Sequence, residues 1–205
     1  MSSGHQAEVF RYQLMRYDSV EPEKWAFDLV LKCALSANWK GRLESYFLQR
    51  EYQAYKRLDG LIGIPQCFGL YSNEVLVLEY VQGAAYREAN FVDREQWFES
   101  FDQLIQQMHQ RQVSHGDLKR KANILVAKGD KPIILDFGIS VVRRPSWLPI
   151  NRWLYNYQCK TDINAFLKHK YHGDYAIIDE FDRERLNDTL PERIWRVMRK
   201  IFGIK

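Results

Sequence analysis

At 205 residues, with 46% apolar and 14% aromatic content, the chain can bury a real core, which excludes a disordered or fibrous protein and suggests one domain or one compact bilobal unit. Its net charge of +4 suits an anionic ligand such as a nucleotide but falls short of a nucleic-acid-binding stripe, so no specific nucleic acid is expected. Cys33, Cys67 and Cys159 are odd in number and in no metal-ligand spacing, and they read as reduced thiols. The first residues lack the basic start and apolar stretch of a secretory signal, and no window reaches the ~18 apolar residues of a membrane span. The expected location is the cytoplasm.

In chain order, EVFRYQLMRYDS (8–19) predicts a strand or hairpin, and WAFDLVLKCAL (25–35) a strand carrying Lys32 near its end. RLESYFLQREYQAYKRL (42–58) predicts a helix ending at Asp59-Gly60. Its apolar stripe runs Leu43, Phe47, Tyr55, Leu58, with Glu51 at the missing step. A lysine in an apolar strand needs an anion, and a carboxylate on an inward stripe needs a cation, so Lys32 and Glu51 can relieve each other's burial. On residue type alone the favoured reading is that both side chains snorkel to water, as most Lys and Glu do.

EVLVLEYV (74–81) predicts a further strand, followed by a turn at Gln82-Gly83. REQWFESFDQLIQQMHQRQ (94–112) predicts a helix with one buried face made of Trp97, Phe98, Phe101, Leu104, Ile105 and Met108. Two short β-rich runs, 123–126 and 132–136, flank Gly129-Asp130 and predict a hairpin. Antiparallel pairing puts Asn123 and Asp136 at the same end, and Asp117 lies in the connection leading there.

Three oxygen-bearing side chains at one mouth suit Mg²⁺, which takes one or two carboxylates and completes its shell with water and phosphates. A carboxylate beside the metal can accept a proton from a hydroxyl. Any one of the three is also explained as a turn cap. All three in this order, with a glycine after Asp-Phe, favour the chemical reading.

Beyond Gly138, Thr161-Asp162 predicts the start of a helix over INAFLKHK, with Asp162 as its N-cap. The last stretch, ERIWRVMRKIFGIK, places Ile194, Trp195, Val197, Met198, Ile201 and Phe202 on one helical face and Arg193, Arg196, Arg199 and Lys200 on the other. The favoured reading is a last helix packed on the core; the alternative is weak contact of 191–205 with an anionic membrane surface. Nothing in the sequence sets the oligomeric state.

His115-Gly116-Asp117-Leu118-Lys119, Asn123-Ile124-Leu125 and Asp136-Phe137-Gly138 resemble the catalytic loop and metal-binding motif of the protein-kinase-like superfamily. Val30-Leu31-Lys32 resembles its strand lysine, Glu51 the helix partner, and Leu78-Glu79-Tyr80-Val81 the segment joining the lobes. The likeness spans roughly residues 25 to 140. It implies an α+β bilobal fold in a single domain, with a small β-rich N-lobe (about 1–81) and a shortened, mainly helical C-lobe (about 82–205).

The resemblance also implies an ATP- and Mg²⁺-dependent phosphotransferase. Lys32, held by Glu51, would bind the α- and β-phosphates, and the backbones of Glu79 and Val81 would hold the adenine. Asp117 would orient and deprotonate the acceptor hydroxyl, Lys119 would steady the transferring group, and Asn123 and Asp136 would hold the metal. Asp162 would brace the catalytic loop from below. The first expectation for the acceptor is a protein Ser or Thr, with a lipopolysaccharide sugar hydroxyl close behind. A non-catalytic scaffold is the alternative class.

Three departures stand out. Asp117 and Asn123 are six steps apart where the superfamily pattern has five, so Arg120-Lys121-Ala122 must house an extra residue. Gly4 is the only glycine before Lys32, so a glycine-rich phosphate loop is missing. No Ala-Pro-Glu signature follows Gly138. The compact build and the glycine after His115 are similar to RIO-type kinases and lipopolysaccharide core sugar kinases.

Overall fold

The computed structural model describes residues 8–15, 26–34, 39–145 and 147–187. The expected amphipathic segment 191–205 and the second half of the expected 8–19 hairpin lie outside the described residues.

The N-terminal part is one four-stranded antiparallel sheet. Strands β1 (Glu8–Met15), β2 (Ala26–Cys33), β3 (Cys67–Tyr71) and β4 (Val75–Glu79) lie in the order β1-β2-β4-β3. Ser72 and Asn73 join β3 to β4 with φ of 52° and 60°, and Glu74 donates back to the Tyr71 carbonyl at 2.9 Å. Two consecutive left-handed residues make the tight turn whose twist matches that of antiparallel strands, and Asn tolerates that conformation better than most.

Helix α1 (Trp39–Arg57) connects β2 to β3. It begins slightly earlier than expected, and its buried face corrects the expected stripe. Leu48, Glu51, Ala54, Tyr55 and Leu58 are buried, whereas Leu43 and Phe47 are 47% and 40% exposed. Steps of four drift by about 40° each around a helix of 3.6 residues per turn, so a stripe extended back from Glu51 by fours leaves the inward face. Leu48, three residues before Glu51, stays on it.

The later part is mainly helical. In α2 (Arg94–Gln110) all six expected apolar residues are buried, each contributing about 1.5–3 kcal/mol relative to exposure. Asp93 caps this helix by accepting from the Gln96 amide at 3.0 Å. The expected hairpin forms as β7 (Ile124–Ala127) and β8 (Lys131–Ile134), with β5 (Gly83–Ala85) added alongside in the order β5-β7-β8. Gly129 and Asp130 both have positive φ in its turn, and the Asp130 carboxylate accepts from the Val92 amide at 2.6 Å.

A two-residue ladder pairs β6 (Val113–Ser114) with β9 (Val141–Val142) and stitches the end of the α2 connection to the segment after Gly138. Helix α3 spans Pro149–Lys170, and α4 spans Glu180–Arg185. Here the sequence expectation is corrected: the helix starts at Pro149, not at Thr161-Asp162. Proline at the first position presets the helical φ and lacks an amide that would otherwise go unbonded, so it opens a helix well upstream. Asp162 is therefore buried in mid-helix and does not cap it.

The fold is α+β, with a β-rich N-terminal region followed by helices, as the kinase-like resemblance implied. All three cysteines are free thiols. No helix among the described residues is long and apolar enough to cross a membrane.

Candidate active site

Lys32 on β2, Glu51 on α1 and Asp136 just beyond β8 meet at one point. The Lys32 Nζ donates to Glu51 Oε1 at 2.6 Å and to Asp136 Oδ1 at 3.0 Å. The lysine side chain is 14% exposed and that of Glu51 4%, so each charge would be costly alone. Burial works against the ammonium, but the two carboxylates more than offset it and raise the Lys32 pKa above its ordinary value. At Asp136, burial is outweighed by Lys32, and the carboxyl titrates below its ordinary value. The snorkelling alternative is excluded for this pair.

Asp136 holds its position by unusual backbone geometry, with φ of 65° in the left-handed region. The following ring fixes the turn: Phe137 is fully buried, edge-on to Tyr55 at 5.0 Å between ring centroids and 4.9 Å from His115. The Glu51 carboxylate takes the Phe137 amide, and the Asp136 carboxylate takes that of Gly138. The Asp-Phe-Gly segment is thus clamped from α1 and from the catalytic loop together.

On that loop, His115 donates from Nε2 to the Leu135 carbonyl at 2.8 Å and accepts at Nδ1 from the Asp117 amide at 3.1 Å. The extra residue is absorbed by one 3-10 turn, Lys121–Asn123. The Arg120 amide reaches the Asp117 carbonyl at 3.2 Å and the Asn123 amide reaches the Arg120 carbonyl at 2.9 Å. Asn123 arrives buried, with its Nδ2 donating to the Asp117 carbonyl at 3.1 Å and to Asp117 Oδ2 at 3.2 Å. Its own carbonyl accepts from the Leu135 amide at 2.9 Å, which places Asp136 next in line. Asp117, Asn123 and Asp136 are thereby gathered at one end of the hairpin, and Lys119 lies exposed two residues after Asp117.

These donors fit a magnesium ion. Among the described residues no group of three or more His, Cys, Asp or Glu could hold a metal ion by itself, so a metal here would need the Asn123 amide oxygen, water and phosphate oxygens as well. What is present is hard oxygen: the Asp136 carboxylate and the Asn123 amide oxygen, whose Nδ2 is already committed to Asp117. Two carboxylates share the single ammonium of Lys32, leaving an excess negative charge.

Below the loop, Asp162 receives three hydrogen bonds in a fully buried position. The amides of His115 and Gly116 donate to it at 2.8 Å each, and His109 Nε2 at 3.0 Å. Burial alone would lower the His109 pKa, but Asp162, with help from Cys159, pushes it up to about 9. The glycine after His115 is required by both conformation and space. Its φ is +83°, and a Cβ there would lie 2.6 Å from Gln158 Nε2. Gln158 is committed, since it accepts from Ser114 Oγ and donates to the Ile139 carbonyl, both at 2.9 Å.

His109, Gln158 and His169, whose Nε2 donates to the Leu118 carbonyl at 2.8 Å, were not singled out from sequence. Each is one of several polar residues on its helix, and its partner is distant in the chain.

Glu79 ends β4 opposite Leu29, with its amide donating to the Gln66 carbonyl at 2.8 Å and its carboxylate accepting from the Gln66 amide at 3.0 Å. Only the Glu79 carbonyl is therefore left for a ligand on that backbone. Val81 follows, half-buried, before β5 begins.

Residues 42–147, just over half of the chain, match the model of the ABC1 atypical kinase-like domain. The matched span contains Glu51, Glu79, Val81, Asp117, Lys119, Asn123 and Asp136, and begins after Lys32. A search among curated proteins gives no match. The clamped Asp-Phe-Gly segment, the braced catalytic loop and this match agree, and the chain belongs to the ABC1 atypical kinase-like domain family.

Proposed function

We propose that the protein is an ATP- and Mg²⁺-dependent phosphotransferase acting on a hydroxyl acceptor in the cytoplasm. The observation that carries this reading is the Lys32 ammonium held between Glu51 and Asp136 at 2.6 and 3.0 Å. A lysine fixed in this way, with its charge retained, is a ready partner for nucleotide phosphates.

The resemblance and the contacts support the following roles. Lys32 binds the α- and β-phosphates while Glu51 keeps its side chain aimed. Asp136 and the Asn123 amide oxygen hold the metal, which when bound neutralises phosphate charge. The Glu79 carbonyl and the Val81 amide contact the adenine. Asp117, oriented through Asn123 Nδ2, accepts the proton of the acceptor hydroxyl as its oxygen bonds to the γ-phosphorus and the bond to the β-bridging oxygen breaks, releasing ADP. Lys119 steadies charge on the transferring group. The acceptor we favour is a protein Ser or Thr hydroxyl, with a lipopolysaccharide sugar hydroxyl second.

The missing glycine-rich loop supports one competing reading, a kinase-like scaffold that binds nucleotide weakly and does not turn it over. Transfer of labelled γ-phosphate to cell extract, separated into protein and lipid fractions, decides between them. Metal-dependent label in the protein fraction is the expected result; label in the lipid fraction moves the acceptor to a sugar. Absence of label in both, with or without Mg²⁺, sinks the enzyme reading.

A further inference from the structure

A cleft of about 940 Å³ lies between α1, the turn after β3, β9 and the start of α3. None of Lys32, Glu51, Asp117, Asn123 or Asp136 lines it. Arg50 and Arg57 enter from α1, and Arg143 and Arg144 from the segment after β9. No Asp or Glu lines it, and among the described residues none of these four arginines forms an ion pair. Two of the four also meet aromatic rings, Arg50 over Tyr46 at 5.9 Å and Arg143 over Tyr155 at 5.8 Å. No carboxylate of the lining offsets their charge, so the cleft is net positive and suits an anion.

Ser140 also lines the cleft, and its carbonyl fixes one of these arginines. Arg50 spends one donor on the Ser140 carbonyl at 3.1 Å and keeps the rest of its guanidinium fork. Guanidinium groups recognise phosphate oxygens in pairs.

We propose that this cleft binds a small phosphoryl-bearing anion. A volume of about 940 Å³ is at the upper end of the ~300–1,000 Å³ typical of small-molecule sites, so it takes a diphosphate or a phosphate ester more readily than a single phosphate. An anion gripped by Arg50 or Arg57 and by Arg143 or Arg144 joins α1 to the segment that follows Asp-Phe-Gly. Arg50 is the neighbour of Glu51, so occupancy steadies the helix that positions Lys32. The binding claim itself stands independently of the phosphotransferase reading.

Isothermal titration of the full chain with inorganic pyrophosphate, in metal-free buffer at constant ionic strength, tests it. Saturable binding is expected, weakened at least ~tenfold by Arg57→Gln with Arg144→Gln, and unchanged by Lys32→Met; tenfold corresponds to about 1.4 kcal/mol. Arg144→Gln alone, at an exposed position, should weaken binding without lowering the melting temperature, and it carries the test if the double variant fails to fold. No binding, equal binding by the arginine variants, or loss on Lys32→Met overturns the proposal, the last by moving the anion to the nucleotide site. Capture of the protein by phosphatidylglycerol vesicles through the same arginines, without pyrophosphate binding, also overturns it, in favour of a membrane surface.

Discussion

Two charged clusters in this molecule are built to opposite plans. Around Lys32, two carboxylates share one ammonium, and the Asp136 side chain is still 31% exposed. Around Asp162, one carboxylate shut off from water is filled by two backbone amides and an imidazole. The first has unspent charge and an opening, which is what a ligand requires. The second has neither, and its work is to hold the backbone of His115 and Gly116 in place. On the proposed function, partial satisfaction marks the part that does chemistry and full satisfaction marks its support.

The comparison can be broken in several ways. The largest effect is expected from Asp117→Ala, which on the proposed role slows phosphoryl transfer by ~10²–10⁴-fold while leaving the melting temperature near wild type. A matching loss of stability would mean that Asp117 belongs with the supports. Asp162→Ala should do the reverse. It leaves two amides and a buried imidazolium without their acceptor and should cost about 3–5 kcal/mol in urea unfolding.

His109 sharpens the second half through pH. Its folded pKa of about 9 lies above the ordinary 6.5, so its pairing stabilises fully below pH 6.5 and is lost as pH rises through 9. Stability should fall across that window by something on the order of 3 kcal/mol, an upper figure for a group this buried. In His109→Gln the slope should vanish; a slope that persists would assign it elsewhere. The smallest effect concerns α1. Leu43→Ala should change stability by less than about 0.5 kcal/mol, whereas Leu48→Ala should cost about 2–5 kcal/mol. Equal losses would restore the stripe through Leu43.

What could be read from the chain alone follows the range of the interactions. The six buried residues of α2 and the β7–β8 hairpin depend on periodicity and turn chemistry within a few residues, and both were legible. The pairing of Lys32 with Glu51 was legible because each residue violated its local pattern in a complementary way. The start of α3 was not, because Trp147, Ile150 and Trp153 show no clean amphipathic stripe and stand exposed around its first turns. The His109–Asp162 bond spans 53 residues and leaves no local trace. Asp162 was noticed, with a cap's function that its mid-helix place rules out and, through the resemblance, a bracing role that its bonds to the His115 and Gly116 amides match.

The 3-10 turn at Lys121–Asn123 has a wider consequence. Both ends of the catalytic loop are pinned, one through the Asp117 carbonyl and the other through the Asn123 carbonyl, while the added length coils up between them. Motif spacing is therefore an unsafe yardstick for competence in such chains. A pattern search that demands five steps would discard this loop, although an insertion accommodated in this way keeps its two ends together.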